Sequence, residues 1–220
     1  MAEFLVFLFN FILGVLEEGF AYAIMALGVY ITYKILDFPD LSVDGTFPLG
    51  GAVAVVLIIA GVNPVLTLFI SFLAGALAGT IAGLIHVKLK VRDLFSGIIM
   101  MTALYSINLR IAGKSNVAIF SKDTIFENSF LEKYIPDSLK PYITVILLFI
   151  IILILKLILD FYLNTKSGYL LRAIGDNPTL VTSLAVDKGK IKIIGLALAN
   201  GFVALSGAIY CQKSVWEPAP

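Results

Sequence analysis

A chain of 220 residues that is 60% hydrophobic and only 14% charged, with a mean hydropathy of +0.99, has too little polar surface to enclose a soluble globule. It reads as an integral membrane protein. A formal net charge of +1 argues against nucleic acid as a partner, a single Cys (Cys211) excludes an intrachain disulfide, and a single His (His86) gives no basis for a metal cluster.

The N-terminal run 4–16, FLVFLFNFILGVL, is short and closes on Glu17 and Glu18. Its leader Met-Ala-Glu lacks the positive region of a signal peptide, so the run is expected to stay as an interfacial or partial span. Apolar runs long enough to cross a hydrocarbon core of about 30 Å follow near 19–36, 64–85, 94–113, 141–159 and 193–212. The expected fold class is therefore all-α, a polytopic transmembrane helical bundle of about six spans plus the short N-terminal hydrophobic segment.

Between the first full span and the next lies 36–51, LDFPDLSVDGTFPLGG, which sets Asp37, Asp40 and Asp44 beside Ser42 and Thr46. The run after it, 47–62, covers only about 24 Å as a straight helix and reads as a broken or half helix. Charges near membrane depth are costly and usually functional, and a discontinuous helix is one way transporters build polar sites. Asp40, Ser42, Asp44 and Thr46 are thus candidates for a substrate path, with helix capping by Asp44 or Thr46 as the alternative.

In the next span, 75–83 (GALAGTIAG) places Gly75, Gly79 and Gly83 on one face, a ladder for close helix packing. The following turn, 86–92 (HVKLKVR), carries three Lys/Arg in seven residues. By the positive-inside rule it faces the cytoplasm, and parity puts 160–192 on the same side and the 114–140 loop outside. Gly113-Lys114-Ser115 has the ending of a phosphate-binding loop, but the glycine required five positions earlier is Asn108, so it is a chance match. With no catalytic or nucleotide-binding motif, the chain is not expected to be an enzyme.

Residues 160–192 form a polar, glycine-broken island between two apolar runs. It keeps enough Leu, Ile and Val to fold into short helices, which a disordered linker would lack. Gly168, Gly175 and Pro178 divide it into rigid pieces, Asp176 and Asn177 suit helix caps, and Arg172 offers a forked donor to a partner. A solvated basic loop is the plain alternative. In the last span, Asn200-Gly201 and Ser206-Gly207 form a small polar face suited to helix packing or to pore lining, with Asn200 a further candidate for the path.

Taken together, 19–33 (GFAYAIMALGVYITY), the 37–51 segment, 168–178 (GYLLRAIGDNP) and 195–207 (GLALANGFVALSG) resemble the permease subunit of ABC importers in the branched-chain amino acid and ribose class. The wording of 37–48 is similar to the branch associated with aromatic amino acids such as tryptophan. The resemblance implies a transmembrane permease domain over 1–212 in a bacterial cytoplasmic membrane, and a coupling region that includes Gly168, Arg172, Gly175, Asp176, Asn177 and Pro178. It also implies a second permease copy, ATP-hydrolysing subunits that hold the ATP and Mg, an extracytoplasmic substrate-binding protein and a lipid bilayer as partners. No cofactor is then expected in this chain. The tail 213–220, KSVWEPAP, departs from the family's continuation, and a truncated or altered permease is expected. The rival readings are a self-sufficient secondary carrier or channel, whose ion site would use Asp37, Asp40 or Asp44, and a non-transporting structural membrane subunit. For the importer, an aromatic amino acid is the favoured cargo, with Tyr22, Tyr30, Tyr33 and Phe47 along an apolar path.

Overall fold

A computed structural model describes residues 2–113, 123–126, 140–183 and 186–213. Among these residues every regular element is helical. Helix α1, Ala2–Val29, runs without a break into a π-helical stretch, Tyr30–Ile35. The separate N-terminal segment expected from the sequence is thus part of the first span, because the acids at its centre are neutralised. Lys213 at the far end of the chain places its Nζ 2.8 Å from Glu18 and 3.7 Å from Glu17. The π-helical end closes with Leu36 N–H donating to the Ile31 carbonyl (3.0 Å) and Phe38 N–H to the Thr32 carbonyl (2.9 Å).

After the turn comes α2, Val43–Ile59, the short apolar helix, with Pro48 inside it. Helix α3, Pro64–Lys88, starts with proline in its first turn and with Asn63 Oδ1 accepting from Val65 N–H at 2.9 Å, so its start is fixed by chemistry local to the sequence. Helix α4, Asp93–Ala112, stops at Gly113, whose φ of +70° is easy only for glycine. That glycine is a helix terminator, while Lys114 and Ser115 lie outside the described residues. Helix α5 is Lys140–Leu163, α6 is Lys166–Asp176, α7 is Pro178–Ser183 and α8 is Lys188–Lys213.

Five helices are long and apolar enough to span a membrane, and α2 is a shorter sixth. Helix α8 is the core of the bundle: 72% of its most apolar 18-residue stretch is buried, against 11% for α5. It packs against α1, α2 and α3. Lipid is as apolar as leucine, so these helices are held by close approach more than by a hydrophobic drive, and small residues decide how close that is. A Cβ on Gly79 would strike the Leu196 carbonyl and come 2.8 Å from Asn200 Cβ. One on Gly75 would strike Ala204, and one on Gly83 would lie 3.0 Å from Ile193 Cα. From the other side, Gly50 of α2 meets the Ala204 carbonyl and Gly207 of α8 meets the Phe47 carbonyl. Helix α8 is therefore wedged between the glycine faces of α2 and α3.

The two basic segments share one end of the bundle. Lys192 Nζ at the start of α8 lies 3.3 Å from His86 Nε2 at the end of α3. At the opposite end the buried Gln212 donates to the Pro64 carbonyl (3.2 Å) and accepts from Ile125 N–H (3.2 Å). Of the expected 114–140 loop, 114–122 and 127–139 are outside the described residues, as is 214–220 of the tail.

Candidate functional site

Helix α2 starts inside the bundle rather than at its surface. A Cβ on Gly45 would meet Met101 Cα (3.0 Å) and Leu104 Cβ (2.9 Å), both near the middle of α4. Thr46 reaches Asn200, at the middle of α8. Residues 36–42 thus bring the chain to mid-membrane depth before α2 begins, which explains why α2 needs only 17 residues.

At that depth four of the sequence candidates bond to one another. Asn200 Oδ1 accepts from Thr46 Oγ1 (2.7 Å) and Ser42 Oγ (3.1 Å). Its Nδ2 donates to Asp40 Oδ2 (2.8 Å) and to the Leu196 carbonyl (3.1 Å). An amide has two acceptor sites and two donors, so Asn200 is saturated. Thr46 Oγ1 also reaches the Ser42 carbonyl at 2.9 Å, and Asp40 Oδ1 accepts from Ser42 N–H at 2.9 Å. Ser42, Thr46 and Asn200 are fully buried. The group is a clamp joining the entry to α2 with α8, and in this arrangement it has no open valence on Asn200 to offer a solute. Gly97 of α4 makes room for the turn, since a Cβ there would meet Leu41 N at 2.7 Å.

Asp44 stands apart from the clamp. It lies in the first turn of α2, where the helix dipole favours a carboxylate, and its side chain is exposed. Neither Asp44 nor Thr46 caps the helix: the N-cap is Ser42, with no side-chain cap bond. Asp37 is exposed at φ +50° outside the knot. Ser206 and Gly207, left open between packing and pore lining, are both buried, and Ser206 Oγ donates to the Ala21 carbonyl at 2.7 Å.

Of the aromatic residues, Tyr22 and Phe47 stack with centroids 5.7 Å apart. Tyr210 joins them at 5.5 and 5.8 Å. Sequence reading missed Tyr210, whose only signal is its place one turn beyond Ser206. Tyr30 and Tyr33 are exposed on the π-helical stretch and belong to no such cluster. Asn108 was also missed as a site residue: a single amide in the apolar α4, it donates from Nδ2 to the Gly45 carbonyl at 2.9 Å.

At the basic end, α6 is an amphipathic helix started by Thr165, whose Oγ1 accepts from Gly168 N–H. Leu171 and Ile174 are buried in the cluster that holds Ile31, Ile35 and Leu36. Gly168 rests on the backbone of Leu163, and Gly175 lies against the Ile35 carbonyl at the π-helical end of α1. Arg172 and Asp176 are exposed. Asn177 ends α6 and accepts from Thr179 N–H at 3.1 Å, so it opens α7, whose first residue is Pro178. The candidates of this region therefore divide: the glycines fit α6 to the bundle, and Arg172 and Asp176 face outward. Residues 184 and 185 are outside the described set.

The profile of a family described as "Branched-chain amino acid transport system / permease component" matches residues 11–219. Among curated proteins, the "Tyrosine transport system permease protein" of Clostridioides difficile (strain R20291) is 42% identical over 201 residues, covering 91% of this chain and 64% of that protein. The "Probable branched-chain amino acid transport permease protein LivH" of Methanocaldococcus jannaschii is 26% identical, covering 89% of this chain and 65% of that one. The "Ribose import permease protein RbsC" of Haemophilus influenzae is 27% identical, covering 92% and 61%. This chain thus spans somewhat under two thirds of the length of these relatives. No solved structure matches it at significance.

Proposed function

The chain belongs to the permease-component family of branched-chain amino acid transport systems, and from that premise we propose that it is a membrane-spanning part of an ATP-driven importer for a small amino acid, aromatic by preference. The basic end, with 86–92 and α6, faces the cytoplasm by the positive-inside rule. An ATPase subunit engages Arg172 and Asp176 there. A second permease copy completes the path, and a binding protein delivers cargo at the end where Gln212 holds 125. ATP and Mg reside in the ATPase.

The observation that carries this reading is the seating of α6. Its apolar face is locked into the bundle through Leu171 and Ile174, its last turn presses Gly175 on the end of α1, and its charged face is left open. Push on the outer face, and the movement reaches Ile35, six-residue π-helical stretch and all. Such stretches recur at functional sites, where the looser ladder lets a helix change register. From Ile35 the chain runs directly into the Asp40–Asn200 clamp, so nucleotide-driven motion of α6 has a short covalent route to mid-membrane depth. The aromatic preference is supported by the tyrosine-system relative and by the Tyr22, Phe47 and Tyr210 cluster.

Affinity purification from native membranes in mild detergent, with mass spectrometry of the eluate, tests the assignment. An ABC ATPase should co-purify, and cells carrying the system should take up L-tyrosine in an ATP-dependent way. A polypeptide recovered alone, with uptake driven by an ion gradient, refutes the importer in favour of a secondary carrier.

A further inference from the structure

We propose that Asp44 and Asn108 form an ammonium-binding station at mid-membrane depth, the point at which the path recognises the amino group of its cargo. The inference deepens the importer reading above and rests on it for the identity of the cargo.

Depth is the first argument. Gly45, next in the chain to Asp44, packs on the centre of α4, and Thr46 is bonded to the centre of α8. A carboxylate held there against lipid costs on the order of 3 kcal/mol or more. Asp40 avoids that cost through Asn200 and Ser42 N–H. Asp44 is exposed, and among the described residues no cation or donor pairs with it. Its face is therefore one that water or a polar solute occupies.

Asn108 supplies the second, independent argument. The Gly45 carbonyl can only accept, so it fixes the Asn108 amide with Nδ2 inward. That leaves Asn108 Oδ1 buried with no hydrogen-bond partner. Buried acceptors without donors are rare and call for one. Asp44 and Asn108 Oδ1 together present acceptor oxygens, one of them charged, and no donor. This set suits an ammonium, with three N–H donors, and repels a carboxylate or phosphate. Exposed residues of α2 continue outward from Asp44 through Pro48, and Phe47 of the aromatic cluster is its near neighbour on the helix. A zwitterion with an aromatic side chain has a place for its ring beside a place for its amine.

The test uses the full chain in membrane vesicles with Cys211→Ala and a reporter, Pro48→Cys, one turn from Asp44. Reaction rates are measured with a cationic trimethylammonium-ethyl and an anionic sulfonatoethyl methanethiosulfonate, each normalised to its rate with free thiol. The cationic reagent should react about tenfold faster, because a nearby unpaired carboxylate raises local cation concentration. Asp44→Asn should bring the ratio near unity, Asp44→Glu should restore it, and Asn108→Leu should lower it severalfold. No reaction with either reagent, or equal rates with Asp44 in place, overturns the station. Since none of these rates requires transport, failure here leaves the importer standing, and absence of a co-purifying ATPase leaves this result standing. In the assembled system Asp44→Asn should cut L-tyrosine uptake at least tenfold with ATPase co-purification unchanged; undiminished uptake also overturns the proposal.

Discussion

Replacing Asn200 by Leu, a side chain of similar volume, isolates the worth of the clamp. Three side chains lose their bond to the amide: Ser42, Thr46 and Asp40. They do not lose equally. Thr46 falls back on the Ser42 carbonyl, and Asp40 keeps Ser42 N–H, whereas Ser42 Oγ has no other bond among those described. Side-chain hydrogen bonds inside membranes average about 0.6 kcal/mol each, so the three account for about 2 kcal/mol. The orphaned hydroxyl and a half-satisfied carboxylate add about 1–2 kcal/mol more. The expected loss for Asn200→Leu is therefore about 3–4 kcal/mol, against about 0.6 kcal/mol for Ser42→Ala, where one donor is removed and the amide keeps its other three bonds. Reversible unfolding in mixed micelles with increasing SDS, followed by far-ultraviolet circular dichroism, gives both numbers. If Asn200→Leu costs no more than Ser42→Ala, the amide is not the hub and the clamp fails as an explanation of how α2 is held.

The glycine faces make a graded prediction by the same assay: Gly50→Ala and Gly79→Ala, which drive a methyl into backbone carbonyls of α8, should each cost about 1–3 kcal/mol. Gly83→Ala, with somewhat more room, should cost less, and Gly19→Ala, which meets nothing within 4 Å, should be neutral or slightly stabilising; a flat series would refute the wedge. At the basic end, Arg172→Glu should reduce ATPase co-purification severalfold, while Gly175→Ala should leave the ATPase bound yet uncouple hydrolysis from uptake, because its methyl meets Ile35 and not the partner. Loss of ATPase binding in both variants alike would remove the distinction between the two faces of α6.

Composition and periodicity alone determined that this is a membrane-spanning all-α chain, where five of its spans lie, that α2 is short, and that 160–192 folds into helical pieces, because the length of an apolar run and the positions of its glycines and prolines are local properties. The capping of α3 by Asn63, the stop at Gly113 and the role of Asn177 are legible for the same reason. What sequence could not decide is which polar groups meet. Glu17 and Glu18 look like the end of a segment until Lys213, 195 residues after Glu18, neutralises them and lets α1 continue. Asp40 and Asp44 are four residues apart and look alike, yet Asn200 satisfies one and leaves the other open, a distinction made by a residue from the far end of the chain. Gly75 and Gly79 announce close packing, but only the tertiary structure assigns them to Asn200 and Leu196. A helix sets its own length and faces through contacts three and four residues apart, whereas the fate of a buried charge is settled by whatever donor the fold brings within about 3 Å, and that donor has no fixed address in the sequence.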